Sequence, residues 1–275
     1  MKISNALQIL DLAKRSSRLG VIAVSLLLSG ALTMSAATRR STLYVATGTF
    51  GVGGTLYTID ATTGALLTTV GSLKDAAGGT CAMAGMRYNP LNLILYGATS
   101  GKSPTNPSYL VTINPATALV TPIGPLGAVL TDIAIDPMTG IMYAVSGFNE
   151  KFYTVNLTTG LATQIGNTGI GFQNGGGLAA NSAGLLYGVN NFSTYTYNKT
   201  NGAATFIGLT LLADLVRAAD FDSRGTLYGL EGGGGIDNLH LRFLVTINLT
   251  TGLGVLVGII PVNDLDGLAF IPAPR

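Results

Sequence analysis

The chain has 275 residues, with 15 Lys+Arg against 13 Asp+Glu and a formal net charge of +2. Only 10% of residues are charged, 47% are hydrophobic, and glycine occurs 38 times. So weak and mixed a charge makes no field that would hold a nucleic acid or a membrane surface, and both are set aside as partners of the folded part.

The first element differs from all that follow. Lys14, Arg15 and Arg18 precede an apolar run from Leu19 to Ala37 that ends Ser35-Ala36-Ala37. A basic start, an apolar stretch and small residues at a cleavage position predict a signal peptide over residues 1–37. The alternative is an uncleaved anchor, since the run is near the shortest length that spans a bilayer. Either reading sends the remainder out of the cytoplasm, to a secreted or periplasmic location. Cys81 is the only cysteine, so no intrachain disulfide can form.

Residues 41–275 read as one domain built on a repeat. An apolar-Tyr pair recurs in LYVAT (43–47), LYGAT (95–99), MYAVS (142–146), LYGVN (186–190) and LYGLE (227–231). Their tyrosines, Tyr44, Tyr96, Tyr143, Tyr187 and Tyr228, are spaced 52, 47, 44 and 41 residues apart. Each pair is followed by an alternating segment ending in Asp or Asn: LYTID (56–60), LVTIN (110–114), FYTVN (152–156), YTYN (195–198) and LVTIN (244–248). A Thr-Gly or Asn-Gly turn comes next, then a strand closing on Gly71, Gly124, Gly166, Gly208 or Gly258. A fourth segment precedes the tyrosine pair in AGMRYNP (84–90), TDIAIDP (131–137), GGLAANS (176–182) and RAADFDS (217–223).

Period-2 alternation in each segment, with Gly or Pro about every ten residues, predicts strands and excludes helices. Four antiparallel strands per 40–50 residues, repeated, define β-propeller blades. The first copy lacks its innermost strand, and the terminal DGLAFIP (266–272) matches that missing segment. The expected fold is therefore all-β, a propeller of five four-stranded blades closed by the C-terminal strand joining the N-terminal blade. The blades fall at about 41–73 plus 265–272, 83–126, 130–168, 175–209 and 217–260. A sixth blade would require a further degenerate copy.

Asp60, Asn156, Asn198 and Asn248 open the turns, where an Asx side chain bonds the backbone two residues on and glycine supplies positive φ. This explains the near-repetition of TVNLTTGLATQIG (154–166) and TINLTTGLGVLVG (246–258) without glycosylation of their Asn-x-Thr triplets. The copy Asn114-Pro115-Ala116-Thr117-Ala118 has no glycine, so its turn is expected to differ. The turns resemble those of quinone-dependent dehydrogenase repeats, but the chain has no Trp and the likeness stops there. The phrasing D-x-A-x-D-P-x-T-G-x-x-Y, then Y-T-x-N-x-T-T-G, resembles exported bacterial propellers with NHL- and YVTN-type repeats. That resemblance covers nearly all of residues 41–275 and implies architecture. Members differ in activity, so it carries none over.

Function is expected on the face holding the unrepeated loops GTFGVGG (48–54), TSGKSPTNPS (99–108), SGFNEK (146–151), NNF (190–192) and EGGGGIDNLHLR (231–242). The candidate ligand-binding residues are Asp132, Glu150, Asp214, Arg217, Glu231, Asp237, His240 and Asp266. The leading reading is a non-enzymatic, monomeric binding module for a protein, peptide or glycan, with no cofactor. The alternative is a lactonase-like hydrolase or lyase, in which acidic residues at the channel mouth hold Ca²⁺. His240 is the only histidine, which excludes a His-rich metal site, and no local motif names a catalytic residue.

Overall fold

A computed structural model describes residues 41–48, 53–171, 176–190, 192–232 and 241–273. Over these residues the chain forms twenty strands. The first blade contributes β1 (Thr42–Thr47), β2 (Thr55–Ile59) and β3 (Leu66–Ser72). The second is β4 (Met83–Asn89), β5 (Ile94–Thr99), β6 (Tyr109–Ile113) and β7 (Val120–Pro125). The third is β8 (Asp132–Ile135), β9 (Met142–Val145), β10 (Lys151–Val155) and β11 (Ala162–Asn167). The fourth is β12 (Gly177–Ala180), β13 (Leu186–Asn190), β14 (Ser193–Tyr197) and β15 (Ala204–Leu209). The fifth is β16 (Val216–Phe221), β17 (Leu227–Glu231), β18 (Arg242–Ile247) and β19 (Gly254–Ile260).

The last strand, β20 (Leu265–Ile271), crosses back to pair antiparallel with β1, giving the order β20-β1-β2-β3. Five four-stranded antiparallel sheets therefore make a five-bladed propeller closed by strands from both ends of the chain. The innermost strands β4, β8, β12, β16 and β20 touch in turn and complete the ring. Pairing β20 with β1 removes an open inner edge that would otherwise template aggregation.

The sequence sets the core through the tyrosine strands. Tyr96, Tyr143, Tyr187 and Tyr228 are buried and pack between blades, while Tyr44 is partly buried against the first cluster. Stacked rings reinforce one seam: Phe152 lies 5.8 Å from Tyr143 and 5.7 Å from Tyr197.

The repeated turn and the closing glycine turn out to be two halves of one joint. A Cβ at Gly124, Gly166, Gly208 or Gly258 would overlap the carbonyl oxygen of Thr159, Asn201, Thr251 or Thr63 in the next blade's turn. In four of the five blades the outer strand thus ends beneath its neighbour's turn, and only glycine permits that approach. Backbone bonds continue the belt, from Val120 N to Lys74 O, Ala162 N to Leu126 O, Ala204 N to Thr168 O and Gly254 N to Thr210 O, at 2.8–3.0 Å.

The expectation for the glycine-free turn is corrected. Ala118 takes φ 59° and donates to Asn114 O at 2.9 Å, the bond Gly160 makes to Asn156 O in the third blade. The turn keeps its shape because the first blade's outer strand stands farther off there, leaving room for the alanine methyl beside Gly71.

Candidate functional site

Strand direction gives the ring two unlike faces. The strand-two to strand-three loops and the connections between blades share one face. The turns between the first two and the last two strands of each blade share the other. Between these faces runs the central channel.

The channel is filled by a charged knot. Arg87 on β4 donates from Nε to Ile133 O at 3.0 Å and from Nη2 to Leu178 O at 2.8 Å and Ala219 O at 2.6 Å. Its Nη1 pairs with Asp220, and Asp132 Oδ2 lies 3.7 Å from Nη2. Asp132 accepts from Ile133 N at 2.8 Å, Leu178 N at 2.9 Å and Ala219 N at 3.3 Å. Asp220 accepts from Phe221 N and, through its other oxygen, from Phe270 N, both at 2.8 Å. One guanidinium and two carboxylates thereby tie all five inner strands.

Strand register explains how the knot fits. Opposite the five tyrosines of the second strands stand Arg87, Ala134, Ala179, Asp220 and Ala269. Two residues earlier on these inner strands stand Gly85, Asp132, Gly177, Ala218 and Gly267. Small residues in the other blades make room for three large charged ones. A Cβ at Gly85 would press on Asp132 Oδ1 at 2.5 Å. Burial raises the Asp132 carboxyl to about 8 against the opposing pull of Arg87 and three backbone N–H groups. Burial also raises Asp220, again opposed by Arg87.

Asp132 was expected at the channel mouth as a ligand group. It is fully buried, and its acceptor capacity is already used by the backbone and Arg87. Four other candidates do gather on the loop face, at the seam between the fifth and first blades. Glu231 accepts from Asp214 N at 2.9 Å, and Arg217 Nε donates to Gly232 O at 3.3 Å. Buried Arg242 donates to Leu265 O at 2.7 Å and meets Asp266 at 3.4 Å. Burial pushes Asp266 up to about 6, with the charges of Arg242 and Arg217 opposing. Among the described residues, Asp264 Oδ1, Asp266 Oδ2 and Arg242 Nη1 are buried without a hydrogen-bond partner. Glu150 stands apart, in the β9–β10 loop of the third blade at φ 58°. Asp237 and His240 lie outside the described residues, as do residues 1–40 with the predicted leader.

Among the described residues, no three His, Cys, Asp or Glu side chains are grouped to hold a metal ion. The loop face also carries exposed apolar residues, Phe148 and Phe192 on the β9–β10 and β13–β14 loops and Val129 and Leu211 on the connections leading into the third and fifth blades. On the turn face the exposed Leu119, Leu161 and Leu253 each follow the same turn position, so they belong to the repeat.

The sequence reading missed the turn-face mouth. All five inner strands end there around a cavity of about 370 Å³. Its wall is one residue column, Tyr88, Ile135, Ala180, Phe221 and Phe270, with Arg87 and Asp220 beside it. Pro90, Pro137 and Pro272 at the strand ends stand in its rim with Arg224. These prolines were visible at the ends of the repeated segments, where they marked only the strand boundaries.

No protein-family model matches the chain, and no curated protein matches it either. Solved structures do resemble it. A chain of a nidogen/laminin complex aligns with TM-score 0.55 and 11% identity, covering 84% of this chain and 98% of that one. A Bacteroides thetaiotaomicron protein of unknown function aligns with TM-score 0.51 and 18% identity, covering 80% of this chain and 56% of that one. At these identities the likeness defines the fold class, a β-propeller, and nothing finer.

Proposed function

We propose that this chain is an exported, non-enzymatic β-propeller that binds a protein through its loop face. The observation that carries the reading is the set of exposed apolar residues Val129, Phe148, Phe192 and Leu211, on loops that do not repeat. Exposed aromatic residues beside charged loops are the composition of a protein contact surface. Lys102, Glu150 and Lys151 supply polar groups around it. The buried cluster of Arg242 and Asp266 below the fifth-blade seam holds loop connections in place. A similar chain that belongs to a nidogen/laminin complex supports protein binding as a use of this scaffold.

The test compares retention of components of the extracellular fraction by the immobilised protein. F148S/F192S is expected to lose a retained species at least about tenfold, as removal of a central aromatic anchor does. A turn-face variant, T158A/T250A, is expected to keep it. Equal retention by all three proteins, or loss confined to T158A/T250A, overturns the reading.

A further inference from the structure

We propose that the turn-face cavity is a binding site for a carboxylate with an apolar body. This inference does not rest on the loop-face reading, because it concerns the opposite mouth of the channel. A volume of about 370 Å³ is at the small end of ligand pockets, and its wall is mostly aromatic and aliphatic. The shape therefore suits a short aryl or alkyl group, or one apolar side chain.

The charge of the ligand follows from which polar groups are already used. Asp220 spends its oxygens on Arg87, Phe221 N and Phe270 N. Asp222 accepts from Arg224 N and Thr226 N at 2.9 Å through one oxygen and from Arg224 Nε at 3.0 Å through the other. Both carboxylates are satisfied within the fold. Arg224 differs, since Asp222 holds its Nε and the Tyr228 hydroxyl takes one further hydrogen bond, yet the side chain remains 61% exposed at the rim. Its remaining N–H groups are therefore the charged donors that a ligand can reach. Anchoring at Nε fixes the guanidinium plane, which favours a planar carboxylate in a forked contact. Arg87 and Arg224 are balanced by Asp220 and Asp222, so the mouth has no excess positive charge, which suits a single negative charge held at Arg224 and works against a phosphate dianion.

Two sources offer this chemistry, a free small acid and the C-terminal residue of a peptide, and the experiment separates them. Calorimetry at low salt would use 4-phenylbutyrate and its amide, and a hexapeptide ending in Phe with a free or an amidated terminus. For a twelve-atom ligand the expected dissociation constant is about 1 mM. The amide is expected to bind about tenfold more weakly than the acid, from loss of the charge-assisted bonds. R224Q is expected to abolish that preference while the melting temperature stays near the wild-type value. A180F narrows the wall and is expected to remove binding of both phenylbutyl compounds. Tighter binding by the free-terminus peptide identifies a protein terminus as the source, and binding by phenylbutyrate alone identifies a small acid. The proposal is overturned if neither carboxylate binds at about 10 mM, a concentration well above the expected constant. Equal binding of acid and amide, or binding unchanged in R224Q, overturns it as well.

Discussion

Replacing Arg87 by Met tests the knot at the ring's centre. The substitution keeps an apolar stem of similar length but removes three hydrogen bonds to carbonyls of three different blades. It also leaves Asp220 and Asp132, both buried, without their counter-charge. Orphaned carbonyls cost about 1 kcal/mol each, and removing one partner of a buried ion pair costs about 3–5 kcal/mol. These contributions overlap, so the expected loss is about 4–6 kcal/mol, a large share of the stability of an ordinary domain. For a domain of this size that corresponds to a fall in melting temperature of about 10–20 °C. Urea titration followed by circular dichroism measures it. R87K is expected to lose nearly as much, because an ammonium cannot span the same three carbonyls. The triple variant R87M/D132N/D220N is expected to recover part of the loss by removing the uncompensated charges. If R87M costs less than about 1 kcal/mol, within the range of an ordinary surface change, the knot does not hold the ring and the argument fails.

Three further outcomes follow from the same geometry. G166A drives a methyl into the carbonyl of Asn201 and is expected to cost about 2–4 kcal/mol, whereas G101A meets only the methyls of Val129 and a serine hydroxyl at 3.3–3.5 Å and is expected to cost under about 1 kcal/mol by the same denaturation assay. Asp132 is raised above the unfolded aspartate value of about 3.9, so its contribution is full below that pH and is lost as pH rises toward about 8. For Asp136, burial alone would raise the carboxyl, but Lys199, Met138 N and Thr139 outweigh burial and hold it low, so its contribution is present above about pH 4 and lost on acidification. D132N is accordingly expected to move the pH of greatest stability upward, and parallel profiles for D132N and wild type between about pH 4 and 8 would contradict this. Truncation after Asn263 deletes β20 and reopens the inner edge of β1. Loss of a single cooperative unfolding transition, with concentration-dependent aggregation by light scattering, is the expected result.

The architecture was legible because each recurring residue has a backbone task. The Asx residue opens a turn, the turn glycine takes positive φ, the closing glycine lies beneath the next turn, and the tyrosine fills a seam. Those tasks repeat with the blade, so they show as a period. Ala118 escaped because an alanine can take the same φ where the neighbouring strand stands back, and no local rule shows that spacing. The channel knot consists of departures from the period. Asp132 stands in a column of glycine and alanine, and Arg87 and Asp220 stand in a column of alanine. Asp132 drew notice as a carboxylate, but its role depends on Arg87, 45 positions earlier in sequence, which only the ring places beside it. The turn-face cavity was hidden for a similar reason, since its wall takes one side chain from each of five distant strands. Asp214, Arg217, Glu231 and Asp266 were found as charges assigned to the loop face, and closure by β20 brings the last beside the others.

Placing a photo-reactive phenylalanine analogue at single positions tests the central claim, that partner binding resides on the loop face, most directly. It would replace Phe148 or Phe192 on that face, and Thr158 or Thr250 on the turn face, with the extracellular fraction as the source of partner. The expected result is one adduct of defined mass from positions 148 and 192, suppressed by excess unlabelled propeller and missing from positions 158 and 250. The same adduct from the turn-face positions, or none from positions 148 and 192, would contradict the claim.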